Sequence, residues 1–306
     1  MKVLVTGGAG FIASHIVDAY IERGDDVVIV DNLRTGRKQN INPKARFYEV
    51  DLREAALEDV FAREQPEWVN HHAAQIDVRY SLEHPMEDAN INIIGALNLL
   101  EQCRRYDVRH VLFASTGGAI YGDPQYLPID ERHPVHPISH YGAAKFAVET
   151  YLYLYRYNFG LDYTILRYGN VYGPRQDPLG EAGVISIFVN RMLKGETPTV
   201  FGSGEQTRDY VFVGDVVRMS MMCGDRTAGE IINVGTGIQT SVNALLAHLK
   251  NITNFPNDAM SAPPRAGELA ASVLNASKAK ELVGWEPQVS LVEGLTRTVE
   301  HIRNAV

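Results

Sequence analysis

The feature that most constrains this chain is its opening: Val3-Leu-Val-Thr6-Gly7-Gly8-Ala9-Gly10-Phe11-Ile12-Ala13. Lys2–Val5 reads as a short buried strand, the glycines as a tight turn, and the segment from Phe11 as an amphipathic helix. Gly7 and Gly10 let backbone N–H groups, including those of Phe11 and Ile12, approach a pyrophosphate at a helix N-terminus, where the helix dipole favours anions. Ala13 stands where this pattern ends in its last glycine, and Ala serves that packing position. A second strand, Asp26–Val30, leads into Asp31-Asn32. An acid about 20 residues past the glycines suits a ribose 2′-hydroxyl and repels a 2′-phosphate, so NAD is expected over NADP. Arg34, three residues on, is a cation that could pair with a 2′-phosphate and pulls the other way.

The pattern of strand then helix recurs up to Tyr168. Phe47–Val50, Trp68–Asn70, Val111–Ala114 and Tyr163–Leu166 read as strands, and Ala55–Arg63, Met86–Tyr106 and Tyr141–Phe159 as helices. This alternation predicts an α/β fold, a Rossmann-type doubly wound parallel sheet with helices on both faces. Ligands in such sheets bind beyond the carboxyl ends of the strands. Asp51-Leu52, Ala73-Ala74 and Ser115-Thr116 follow directly on strands and are expected on that rim. Past Asn170 the chain becomes irregular and rich in Gly and Pro. Residues 1–168 are read as the cofactor domain, with later segments at about 200–245 returning to it, and 169–306 mainly as a smaller C-terminal substrate lobe.

Tyr141 and Lys145 stand four residues apart, on one face of their helix. A free phenol has a pKa of about 10 and is a poor base at neutral pH. A neighbouring cation favours the phenolate, so the pair forms a proton-transfer device. The net charge of −8 argues against nucleic-acid binding, and no apolar run is long enough for a membrane span. Two cysteines, Cys103 and Cys223, fit a reduced, cytoplasmic setting. No metal-ligand spacing appears; the adjacent His71 and His72 point to opposite faces of a strand and are expected to be structural. The Tyr151, Tyr153, Tyr155, Tyr157 series is expected in core or interface packing.

Together these motifs resemble the extended short-chain dehydrogenase/reductases, and within them the UDP-glucose 4-epimerase family. The resemblance runs nearly end to end, through His72-Ala-Ala74, Ser115-Thr-Gly-Gly-Ala-Ile-Tyr-Gly122, Arg167 to Arg175, Gly202 to Val213 and Arg265-Ala-Gly-Glu268. It implies C4 epimerisation of a UDP-hexose with NAD, with a related decarboxylase, dehydratase or UDP-glucuronate 4-epimerase as the alternative and a non-catalytic NAD-binding sensor behind these. It implies Tyr141, Lys145 and a hydroxyl as the catalytic set. The family's usual hydroxyl position is Gly117 here, so Thr116 is expected in that role, with Ser115 second. It further implies Asp51 and Leu52 at the adenine and Asn90 in the active-site network. Asn170 would hold the sugar nucleotide, Arg208 and Arg265 the diphosphate, and Val184, Val200 and Phe201 the uracil, with Tyr210 and Glu268 in the same substrate-binding stretches. Ser272 would border the sugar's C2 substituent, where a small residue admits an N-acetyl group. Relatives are commonly homodimers through two long helices, expected here as Met86–Tyr106 and Tyr141–Phe159.

Overall fold

The structure, a computed structural model, describes residues 1–177, 183–264 and 269–305. Six strands of the first half are β1 (Lys2–Thr6), β2 (Asp26–Asp31), β3 (Arg46–Glu49), β4 (Trp68–His71), β5 (His110–Thr116) and β6 (Asp162–Tyr168). Between them lie α1 (Phe11–Glu22), α2 (Ala56–Glu64), α3 (Val78–Glu83), α4 (Pro85–Ala89), α5 (Gly95–Arg105) and α6 (His140–Phe159). The second half supplies β7 (Asn170–Tyr172), α7 (Val184–Leu193), β8 (Thr199–Phe201), β9 (Thr207–Arg208), β10 (Tyr210–Phe212) and α8 (Val213–Met222). It continues through β11 (Glu230–Val234), β12 (Thr240–Ser241), α9 (Val242–Thr253), β13 (Met260–Ala262), α10 (Ser277–Val283) and α11 (Leu291–Ala305).

Seven strands form one parallel sheet in the order β11-β6-β5-β4-β1-β2-β3. Strand order reverses between β1 and β4, and a sheet of this kind opens a crevice at that reversal. Alternation within the strands explains the helices on both faces. Leu4, Val28 and Val30 pack with α2, α5 and α6 residues such as Phe61, Leu99 and Val148. Val3, Val5, Val27 and Ile29 face Ile16, Val17 and Tyr20 of α1 on the other side. The chain from Pro85 to Arg105 is helical throughout, but a π turn at Asn90–Ile94 inserts between α4 and α5. α7, α9 and α11 build a separate core around Phe188, Leu245 and Leu295. No helix among the described residues is long and apolar enough to cross a membrane.

Candidate active site

A cleft of about 670 Å³ opens over the carboxyl edge of the sheet, lined from Gly7 and Ala9–Ala13 through Asp31, Asp51, Leu52 and His72–Gln75 to Ser115, Tyr141 and Lys145. At its first end, β1 turns into α1. Gly7 has φ +71, and a Cβ there would lie 2.8 Å from the Ala73 backbone nitrogen, so a side chain is excluded twice over. Gly10 caps α1 without any side-chain partner for the first-turn N–H groups. This backbone cradle and open helix N-terminus fit a dinucleotide's diphosphate. Thr6 Oγ1 accepts from the backbone nitrogens of His72 (3.2 Å) and Ala73 (3.1 Å) and pairs with His71 Nδ1 at 2.8 Å, which ties the ends of β1 and β4 together at the crevice. His71 and His72 are both neutralised by burial, His72 to a pKa of about 3. Among the described residues no cluster could hold a metal ion.

Asp31 ends β2. Its two oxygens accept Ala9 N at 3.0 Å and Leu33 N at 2.8 Å, which fixes the carboxylate with lone pairs left for a ribose. Burial pushes its pKa up. Asn32 donates to Asp51 at 2.7 Å, and Arg53 grips Asp51 at 2.8 and 2.9 Å, holding its carboxyl well below the usual range. Arg34 is turned to Glu87 and to the Tyr80 hydroxyl, 3.3 Å away. Leu52, Ala73, Ala74, Phe11 and Ile12 line the same cleft. Asn90 does not: it is exposed on the outer side of the π turn. Asn92 is the buried asparagine of that turn. It brackets Gln75 through the latter's backbone N–H and C=O, both at 2.9 Å, and donates to Asp88 at 3.0 Å. The extra residue of a π turn shifts the helical phase, and a regular 3.6-residue period offers no sign of it.

The other end of the cleft is made by α6 and the end of β5. Ser139 caps α6, its hydroxyl accepting Gly142 N at 3.1 Å. Lys145 is 3 % exposed; its ammonium donates to Ala114 O at 2.9 Å and lies 5.9 Å from the Tyr141 ring centre. Burial lowers its pKa to about 8, against the opposing pull of the Asp88 and Glu149 carboxylates. Tyr141 is half-buried on the same helical face.

Ser115 and Thr116 divide as neighbours on a strand must. Ser115 is buried, and its hydroxyl donates to Glu149 at 2.5 Å. Thr116 is half-buried; a Cβ built on Gly118 would be 4.0 Å from its Oγ1 and 3.8 Å from Asn170 Oδ1, so these two polar groups flank one spot. A Cβ on Gly117 would lie 2.5 Å from Leu274 Cδ1. The glycine at the family's usual hydroxyl position therefore has a local cause: Leu274 occupies the space.

Beyond Asn170, Arg208 donates from β9 to the carbonyls of Thr207 and Leu269 at 2.8 and 2.9 Å. Ser272 N donates to Thr207 O at 3.2 Å, and Ser272 is buried rather than solvated. Val184, Val200 and Tyr210 share the second core, and Phe201 is half-buried at the end of β8. Arg265 and Glu268 lie outside the described residues.

Residues 3–235 match the NAD dependent epimerase/dehydratase family. A curated relative from Methanocaldococcus jannaschii, described as a putative UDP-glucose 4-epimerase, is 51 % identical over 302 residues, covering 99 % of this chain and 98 % of its own. The crystal structure of a UDP-glucose 4-epimerase from Thermotoga maritima with UDP-glucose superposes with a TM-score of 0.98 at 50 % identity, covering 100 % of this chain and 99 % of that one. The Thermus thermophilus UDP-glucose 4-epimerase in complex with NAD gives 0.96 at 45 % identity, covering both chains in full.

Proposed function

The chain belongs to the NAD dependent epimerase/dehydratase family, and within it we propose that it inverts C4 of a UDP-hexose, UDP-glucose and UDP-galactose first, through a transient 4-keto sugar. It is an enzyme, and NAD is its cofactor. One observation carries the reading: the Tyr141–Lys145 face of α6 closes the cleft whose far end is the open N-terminus of α1 beside Asp31.

NAD bound in that cleft supplies a hydride acceptor and donor. The chain's residues handle the protons. Tyr141 takes the proton of the 4-hydroxyl as C4 is oxidised and returns it when C4 is reduced from the other face. Lys145, fixed by the Ala114 carbonyl, would hold the nicotinamide ribose of bound NAD and stabilises the phenolate. Thr116 hydrogen-bonds the reacting oxygen, and Asn170 beside it holds the sugar nucleotide. Arg208, with Arg265, holds the diphosphate, so that the keto sugar turns over without leaving. Val184, Val200 and Phe201 receive the uracil, with Tyr210 beside them.

A dehydratase needs an acid just past its catalytic Thr, and decarboxylases often place a Glu there. Gly117-Gly118-Ala119 offers none, and Leu274 leaves no room for a side chain at 117. Incubation with UDP-glucose, UDP-N-acetylglucosamine, UDP-glucuronate and dTDP-glucose, followed by mass spectrometry and proton NMR, tests the reading. A C4 epimer of unchanged mass supports it; loss of water or CO₂ refutes it. Tyr141→Phe keeps its NAD and loses ~10²- to 10⁴-fold in kcat.

We infer a homodimer as well. Phe146, Leu154, Tyr157 and Phe159 of α6 and Ile94 before α5 are exposed apolar side chains, Tyr157 at 78 %. Stacking such helices on those of a second copy makes a large apolar interface. Light scattering at micromolar concentration gives twice the chain mass; a monomer refutes it.

A further inference from the structure

α6 carries a third polar residue on the Tyr141–Lys145 face. Glu149 stands four residues past Lys145 and is 3 % exposed, yet the chemistry above does not use it. One carboxylate oxygen accepts Ser115 Oγ at 2.5 Å and Arg167 Nε at 3.0 Å; the other accepts Arg167 Nη2 at 2.5 Å. Arg167 Nη1 donates onward to Tyr121 Oη at 3.0 Å, and Tyr121 donates to Asn233 Oδ1 at 2.7 Å. Asn233 donates to Ile129 O at 3.0 Å, and Ile129 pairs with Leu274, whose side chain faces Gly117. The chain of bonds thus leaves the end of β5 on one side and returns to it on the other. A buried polar network with its bonds made specifies a single geometry, and a charge buried this deeply is tolerated because it is paired.

We propose that Glu149 is a positioning residue for the catalytic loop: by holding Ser115 it fixes the parity of the last residues of β5, so that the Thr116 hydroxyl stays beside Asn170. Side chains alternate along a strand, so the residue that faces Glu149 decides where its neighbour points. Ser115 is then an anchor and not the reacting hydroxyl. The inference rests on the roles given above to Thr116 and Tyr141.

The test uses the NAD-loaded full chain. Ser115→Ala cuts the link and leaves the Glu149–Arg167 pair intact. It lowers kcat ~10²-fold, the scale of a misplacement of about 1 Å, with KM and bound NAD unchanged. Thr116→Val falls at least as far, and the double variant falls no further than Thr116→Val alone, because both changes act on one hydroxyl. Amide hydrogen exchange, read by mass spectrometry without substrate, rises at residues 115–118 in Ser115→Ala and in Glu149→Gln, while peptides from β1 and α1 keep their protection. Wild-type kcat in Ser115→Ala overturns the proposal, as do losses that multiply in the double variant or exchange that is unchanged at 115–118. Should the wild type invert no UDP-sugar, the proposed reaction fails by itself, and the exchange measurement still decides whether Glu149 holds the loop.

Discussion

Filling the space at Gly117 is the sharpest test of why this chain lacks a side chain there. A Cβ at 117 would lie 2.5, 2.9 and 3.2 Å from Leu274 Cδ1, Cδ2 and Cγ. Carbon atoms pack best at about 3.5–4.0 Å, so the new methyl is roughly 1 Å too close to the nearest of them. Leu274 has little freedom to yield: it is fully buried, packs with Ile120, Tyr121 and Ile129, and its backbone N–H is held by Asp209 at 3.1 Å. Gly117→Ala therefore costs about 1–3 kcal/mol by overpacking and lowers kcat, because Thr116 moves with its neighbour. Leu274→Ala alone costs about 2–5 kcal/mol through the cavity it leaves. Together the new methyl enters that cavity, so the double variant loses less than the two singles combined, by about 1–3 kcal/mol. The assay is urea unfolding at one fixed saturating NAD concentration, since bound cofactor itself stabilises the fold, with kcat measured on the same samples. Gly117→Ala within about 0.5 kcal/mol of wild type, or strict additivity in the double variant, refutes the steric account.

Two further outcomes follow from the site. Lys145 titrates near pH 8, so kcat/KM declines as pH rises through about 8 and the ammonium is lost; Lys145→Met removes that limb from its residual activity. Since the unfolded lysine binds its proton up to about pH 10.4, the unfolded chain holds more protons between those limits, and this group's contribution to stability rises with pH there. If Ser272, small and buried beside Thr207, borders the sugar's C2 substituent as the family resemblance implies, wild type accepts UDP-N-acetylglucosamine while Ser272→Tyr retains UDP-glucose and rejects the N-acetyl sugar; equal kcat/KM ratios for the two enzymes refute this.

What the sequence made legible was what short-range geometry determines. The turn at Gly7 joins a strand to a helix within a dozen residues, and Tyr141 and Lys145 meet by helical spacing alone. Contacts made at long range were not legible. Nothing near Gly117 announces Leu274, and nothing near Ser115 announces that its hydroxyl belongs to Glu149, which reads as one more charge on a helix. Yet its spacing of four from Lys145 was a usable signal, since it puts the carboxylate on the buried face. The family resemblance implies Asn90 in the active-site network, whereas Asn90 is exposed and Asn92 is the buried asparagine bonded to Gln75 and Asp88. The pairing of β8 with β13 and of β9 with β12 joins segments too short to show any alternation of their own.

The position of β11 in the sheet has a consequence for how the polypeptide is made. Residues 1–168 supply six of the seven central strands, and the partner of β6 arrives only with Glu230–Val234. A ribosome adding about 5–20 residues per second takes several seconds to deliver it. Through that interval the nascent chain presents Thr164–Tyr168 as an open parallel edge, a template for pairing with other chains. Released at residue 168, the fragment keeps that edge for good and aggregates, although it carries the glycine turn, Asp31, Tyr141 and Lys145.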